Sequence, residues 1–219
     1  MKIAYQGIAG SYSESCAKEK YPNCETIPCK TFDECFEKAN NDSSVKAIIP
    51  ESNKTTGNIG VEYLIFKYRL NIFAEHFFPI NHNLLGLPGA KMSDIKDIYS
   101  HAQALSQSSI FIKKNKLNGN VRADTAGSAK YVSEAKDKSK AAISSELSAD
   151  IYNLQILDSN IQDEKENATR FLIMQKDIFQ PEFKNNKYIT SLLFKLKSKA
   201  GALYSALGSF TLNGVNLTK

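Results

Sequence analysis

The sequence predicts an α/β fold. Apolar runs of strand length recur along the chain, amphipathic helical stretches with recognisable N-terminal caps alternate with them, and no apolar run approaches membrane-spanning length. At 219 residues, 42% apolar and 23% charged, the chain can bury a core in one large domain or two small lobes.

In order, residues 2–5 read as a short strand, Gly7 and Gly10 make a loop, and Ser11-Tyr12-Ser13-Glu14 has the Ser-x-x-Glu pattern of a helix capping box. Thr31-Phe32-Asp33-Glu34 repeats that pattern, and Phe32, Cys35, Phe36 and Ala39 share one helix face. A buried strand at 45–49 and a helix marked by Leu64, Ile65 and Tyr68 follow. Pro79 then ends a strand at 71–78 before a second extended run, 82–87, which makes it the first candidate crossing between lobes. Beyond it come a strand at 98–100, a helix through Leu105 and Phe111, a strand at Val121, a helix opening at Thr125, and strands at 141–143 and 154–157. The polar, aperiodic stretch 158–167 leads into a strand at 169–174, the candidate return crossing.

Strands alternating with helices imply largely parallel sheets, with ligands beyond the carboxyl ends of the strands. The loops at Gly7, Pro50, Ser100 and Asp124 fall there. After Gln180-Pro181, residues 188–196 alternate like a strand, and Leu203, Leu207 and Phe210 line one helix face. So short a tail buries little; it must lean on the main body, pair with another chain or belong to a larger domain.

Composition argues against several functions. The first residues, Met1-Lys2-Ile3-Ala4-Tyr5-Gln6-Gly7, lack the apolar stretch of a secretory signal, so a cytoplasmic protein without membrane attachment is expected. Cys16, Cys24, Cys29 and Cys35 show no Cys-x-x-Cys spacing and read as reduced packing residues. His76, His82 and His101 form no metal-ligand pattern, and His101 reads as a helix-start histidine. The net charge of +5 comes mostly from scattered lysines, with only Arg69, Arg122 and Arg170 for planar bidentate contacts, which disfavours nucleic acid. Lys195, Lys197 and Lys199 read as a solvated strand face.

Four segments carry chemistry. Gly7-Ile8-Ala9-Gly10-Ser11-Tyr12-Ser13 offers free backbone N–H groups at a helix start, a seat for a carboxylate, although most glycine turns bind nothing. Pro50-Glu51-Ser52-Asn53-Lys54-Thr55-Thr56-Gly57 holds more polar side chains than a connecting turn needs. Ser100-His101-Ala102-Gln103-Ala104-Leu105-Ser106-Gln107 puts Gln103 and Gln107 on one helix face among small neighbours. Asn167-Ala168-Thr169-Arg170-Phe171 joins an isolated arginine to a threonine and an aromatic ring; pairing of Arg170 with an acid such as Asp163 or Glu166 is the alternative to ligand binding.

These segments, with Asp124-Thr125-Ala126, resemble in their order the serial motifs of prephenate dehydratases, and Thr169-Arg170-Phe171 is the most specific of them. The resemblance implies a two-lobed fold of the periplasmic-binding-protein type II over residues 1–178, with lobe one formed by 1–78 plus 169–178, lobe two by 79–168, and the active site in the cleft. It implies a cofactor-free and metal-free lyase that converts prephenate to phenylpyruvate, water and carbon dioxide in phenylalanine biosynthesis, and it admits a homodimer. Arogenate dehydratase and a non-catalytic dicarboxylate-binding module are the rivals.

By the same resemblance Thr169 is the catalytic hydroxyl, and Asn53, Ser100 and Gln107 contact substrate. Ser11, Thr125, Arg170 and Phe171 take other motif positions as substrate-binding residues. Residues 187–219 resemble part of a regulatory ACT domain, with Gly201, Ala202 and Leu203 in the stretch that binds phenylalanine; its later part is absent, so no feedback inhibition is expected. The chain departs from the family at Glu51-Ser52, at Ala102 and Ile8, where proline is common, and at Ser11, where threonine is.

Overall fold

A computed structural model describes residues 1–178, 180, 190, 192 and 194–217. The chain forms two compact units, Met1–Glu182 and Phe183–Lys219.

Lobe one of the first unit runs β1 (Lys2–Gln6), α1 (Tyr12–Lys20), β2 (Glu25–Cys29), α2 (Phe32–Asn41), β3 (Val45–Asn53), β4 (Gly57–Asn58), α3 (Glu62–Tyr68) and β5 (Asn71–Pro79). Lobe two runs β6 (Asn83–Gly86), β7 (Asp97–Ser100), α4 (Ala102–Gln107), α5 (Ser109–Lys114), β8 (Asn118–Val121), α6 (Thr125–Ala135), β9 (Lys140–Ser144), α7 (Glu146–Ile151) and β10 (Gln155–Asp158). The chain then returns to the first sheet as β11 (Ala168–Gln175).

The sheets are ordered β2-β1-β3-β11-β5, with β4 beside β3, and β10-β6-β9-β7-β8. Both are mixed, which corrects the expectation of largely parallel sheets. Strands β1, β2 and β3 are parallel, as are β7, β8 and β9, but β11 is antiparallel to β3 and β5, and β6 to β9 and β10. The cause is the crossing itself. A chain that leaves one sheet at a carboxyl end enters the next from the cleft side, so the first strand it forms runs against its neighbours.

Each sheet is covered on both faces. Ala4, Ala47, Ile49 and Leu172 pack on Cys35, Phe36 and Ala39 of α2 and Leu64 of α3, while Ile3, Ile48, Phe171 and Ile173 face Cys16 and Ala17 of α1. In lobe two, Leu84, Ile98 and Ile143 form one side, and Leu85 and Ala142 pack on Ala129 and Val132 of α6. All four cysteines are free, and three are buried.

The two sequence-read caps form with one change. Ser11 and Thr31 accept from the N–H groups of Glu14 (3.3 Å) and Glu34 (3.2 Å), but each glutamate bonds the N–H one residue before the cap, Gly10 and Lys30, both at 2.7 Å. The single helix expected through Leu105 and Phe111 is broken at Ser108. Asp163 supplies the cause: its N–H binds Gln107 O (2.6 Å), and its carboxylate caps Ser109 N (3.1 Å) and Ile110 N (3.1 Å) of a new helix.

In the second unit the one element among the described residues is α8 (Ala202–Leu212), entered through Gly201 at φ 75°. Of the strand read over 188–196, residues 188, 189, 191 and 193 lie outside the described residues, and Thr190, Leu192 and residues 194–196 lie in no strand. Among the described residues no helix is long and apolar enough to cross a membrane, and no acidic, histidine and cysteine cluster could hold a metal ion.

Candidate active site

Asn53 ends β3, and Thr169 stands directly across from it on β11. The loop after β3 turns back on Asn53: its Oδ1 accepts from the N–H groups of Thr55 (3.0 Å) and Thr56 (3.2 Å) and from the Thr55 hydroxyl (2.6 Å). Backbone N–H groups only donate, so this end of the amide is its oxygen and the other end is its nitrogen. Nδ2 donates to Asn167 Oδ1 and to Thr169 Oγ1, both at 2.9 Å. Thr169 is therefore an acceptor toward Asn53, and among the described residues its own hydrogen has no acceptor. Thr169 is only 6% exposed, so that hydrogen sits in a largely water-free setting.

The same polarity continues into lobe two. Because the Thr55 hydrogen is committed to Asn53, Thr55 Oγ1 accepts from Gln107 Nε2 (2.6 Å). Gln107 Oε1 then faces Asn167 Nδ2 (3.2 Å) and His82 Nε2 (2.9 Å). Gln103, one turn earlier, donates to Thr56 Oγ1 (2.8 Å). Both glutamines read from the sequence thus meet the threonine-rich loop across the cleft.

Arg170 points to the other face of β11, where Glu51 and Glu75 hold it. Its Nε lies 2.8 Å from Glu75 Oε2, its Nη2 2.7 Å from the same oxygen, and its Nη1 3.3 Å from Glu51. The pairing with Asp163 or Glu166 is corrected: Asp163 caps α5, and Glu166 pairs with Lys54. The true partners lie on neighbouring strands, where cross-strand diagonals outweigh sequence proximity.

The remaining positions are placed as follows. Ser11 caps α1, and Thr125 is the first residue of α6, whose cap is Asp124 accepting from Gly127 N (2.6 Å). Ser100 is fully buried and donates to Ile143 O (2.7 Å), tying β7 to β9. Phe171 is 2% exposed in the core, edge-on to Phe78. His101 caps α4 by accepting from Gln103 N (3.3 Å). Gly201, Ala202 and Leu203 open α8 in the second unit.

The glycine loop is less free than its sequence suggests. The N–H groups of Gly7, Gly10 and Ser11 bind Cys29 O, Glu14 Oε2 and Ile8 O, so these three are not among the open donors expected of the segment. Its carbonyls are held from lobe two: Gly10 O accepts from Ser145 (2.5 Å) and Ser148 (2.9 Å), and Ala9 O from Tyr152 (2.7 Å). At Gly10, with φ +89°, a Cβ would stand 2.6 Å from Ser148 Oγ, so only glycine allows this approach.

Sequence reading missed His82, buried just past the crossing. Burial holds its imidazole below the ordinary value, opposed by the bond to Gln107. The signal available was a polar run, Asn81-His82-Asn83, inside an otherwise apolar stretch. A cavity of about 360 Å³ lies beyond Tyr12, lined by Lys18, Phe78, Asn81, Glu146 and Asp150 among others, and Thr169, Asn53 and Gln107 do not line it.

A family model described as prephenate dehydratase matches residues 3–178. A curated relative from Arabidopsis thaliana, named arogenate dehydratase/prephenate dehydratase 1, chloroplastic, is 40% identical over all of this chain and 56% of its own length. The chain thus spans about half the length of the curated relatives it matches. A solved structure titled as a prephenate dehydratase in complex with L-Phe, from Arthrobacter aurescens, shares the fold at TM-score 0.86 with 23% identity, covering all of this chain and 75% of that one. Another, titled GqqA, a novel type of quorum quenching acylase, is 30% identical at TM-score 0.85, covering all of this chain and 80% of that one.

Proposed function

This chain belongs to the prephenate dehydratase family, and on that premise we propose that it converts prephenate to phenylpyruvate, carbon dioxide and water, with Thr169 as the hydroxyl that assists departure of the ring hydroxyl. The observation that carries this reading is the direction of the Asn53–Thr169 bond: Asn53 donates, so the Thr169 hydrogen is left to donate.

The chemistry needs little else. As the bond to the ring carboxylate breaks, its electron pair moves through the ring and expels the hydroxyl with its electrons, and the new aromatic ring supplies the driving force. The barrier lies in the hydroxide leaving group. A fixed O–H donor aimed at that oxygen stabilises the developing charge at neutral pH, where an ordinary carboxylate has no proton to give. The proton consumed in forming water comes in the end from solvent.

Gln103, Gln107, Asn53, Ser11 and Thr125 supply the neutral groups that orient the substrate, and Ser100, buried and bonded to Ile143 O, supports them from behind at the end of β7. Replacing Thr169 by valine keeps the shape and removes the donor; turnover of prephenate falls by about a hundredfold or more. A near-normal rate, followed through phenylpyruvate absorbance in alkali, would sink the assignment.

Arogenate is the second reading of the substrate, favoured by the name of the Arabidopsis relative, which covers both activities. Parallel assays with the two substrates separate them, and binding of prephenate without turnover of either identifies a binding module. The proposal extends to a cytoplasmic setting, supported by four free cysteines, to a homodimer, and to a tail of ACT type around Gly201, Ala202 and Leu203.

A further inference from the structure

His82 ties three parts of the first unit together. Its ring stands between Tyr12 on α1, with Tyr12 OH 2.7 Å from Nδ1, and Gln107 on α4, whose Oε1 lies 2.9 Å from Nε2. Its backbone is clamped by the return crossing, with His82 N donating to Gln162 Oε1 (2.9 Å) and His82 O accepting from Ile161 N (2.9 Å). At 2% exposure the ring cannot be serving as a surface group.

Which ring nitrogen carries the hydrogen follows from the network. Gln107 presents its oxygen to His82, because its nitrogen is committed to Thr55. Nε2 must then be the donor, and Nδ1, in a neutral ring, the acceptor of the Tyr12 O–H. Tyr12 has one hydrogen and two acceptors within reach, Asn81 O at 3.0 Å and Nδ1 at 2.7 Å; with Nε2 carrying the ring hydrogen, Nδ1 is the nearer acceptor and takes it. The hydrogens of the chain Tyr12, His82, Gln107, Thr55, Asn53, Thr169 therefore run in a consistent order, anchored at Asn53 by the backbone N–H groups of Thr55 and Thr56.

We propose that His82 is a positioning residue for the dehydration site: carrying its hydrogen on Nε2, it holds the amide of Gln107 with its oxygen toward the ring and its nitrogen on Thr55, and so keeps Gln107 placed to orient the substrate. This rests on the dehydratase reading. Without His82, the Gln107 oxygen keeps, among the described residues, only the longer bond from Asn167 Nδ2 (3.2 Å), and the amide is held less firmly. The Asn53 amide keeps its direction, because the N–H groups of Thr55 and Thr56 fix its oxygen end, so the loss falls on Gln107 and on the substrate it orients. His82 itself touches no reacting atom.

The test combines a spectrum with kinetics. In the intact chain at neutral pH, ¹⁵N correlation spectra of the His82 ring, assigned by its loss in His82→Gln, show a protonated Nε2 and a pyridine-like Nδ1; in Tyr12→Phe the tautomers mix. His82→Leu lowers kcat by about tenfold or more with KM little changed, and His82→Gln, which keeps a donor at the place of Nε2, recovers most of it. A ring protonated at Nδ1 in the wild type, or full kcat in His82→Leu, overturns the positioning role. A chain inert toward both prephenate and arogenate overturns the dehydratase reading and the catalytic half of this one, whereas a wrong tautomer in an active chain overturns the His82 role alone.

Discussion

Two loops enter the cleft from lobe one, and they are built to opposite ends. The loop at Gly7–Ser11 spends its backbone: donors go to Cys29, Glu14 and Ile8, and acceptors are taken by Ser145, Ser148 and Tyr152 of lobe two. The loop at 50–57 spends side chains instead and passes one uncommitted hydrogen to Thr169. The first acts as a strut between lobes and the second as a polarised arm. The general lesson is that a polar loop at a strand end becomes a site only when its hydrogen-bond accounting leaves a group over.

The strongest way to break this contrast is to reverse the arm. Asn53→Asp keeps the acceptor that receives Thr55 and Thr56 but removes the donor toward Thr169. The Thr169 hydroxyl then donates to the new carboxylate, and its hydrogen is consumed. Turnover falls by about a hundredfold or more, and KM rises because a negative charge now faces an anionic substrate. Wild-type turnover in this variant shows that bond direction is irrelevant to the chemistry.

A smaller effect tests the back of the same arm. Arg170, at 16% side-chain exposure, neutralises Glu51 (11%) and Glu75 (29%). Arg170→Met leaves two carboxylates facing one another and costs about 2 kcal/mol in urea unfolding, discounted for the water that reaches Glu75. Adding Glu51→Gln and Glu75→Gln restores most of that stability. A raised KM that persists in the triple variant marks Arg170 as a substrate ligand; a KM that recovers with stability marks it as a brace.

How much of this was legible in advance depended on the distance over which each decision is made. The strand read over 45–49 runs on to Asn53, whereas the caps at Ser11 and Thr31, the strand end at Ser100 and the break at Pro79 are written within a few residues, and they read correctly. The helix stop at Ser108 did not, because its cap comes from Asp163. Arg170 was assigned acids close in sequence, and the structure supplies Glu51 and Glu75 from neighbouring strands. Helix α7 and strand β2 escaped notice: Glu146-Leu147-Ser148-Ala149-Asp150-Ile151 is too short to show a helical period, and Pro28 interrupts the strand pattern of Glu25-Thr26-Ile27-Pro28-Cys29. His82 looked like one of three unrelated histidines because its meaning lies in Tyr12 and Gln107, which the crossing brings to it.

The strut offers the smallest and most specific effect, through pH. Glu14 is buried, which by itself would raise its carboxyl, but Lys18, the Gly10 N–H and the Thr26 hydroxyl together hold it below its ordinary value of 4.5. A carboxyl depressed on folding contributes stability that is present above 4.5 and lost as pH falls through the folded value. Glu14→Gln therefore lowers stability by about 1 kcal/mol at pH 7, a figure reduced for the exposure of Lys18. The gap between variant and wild type narrows as the wild-type carboxyl takes up its proton in acid. Urea unfolding of both proteins at pH 7 and at successively lower pH gives the two gaps. A gap that stays constant assigns the Gly10 anchor to shape and hydrogen bonding alone, and the strut would then owe nothing to charge.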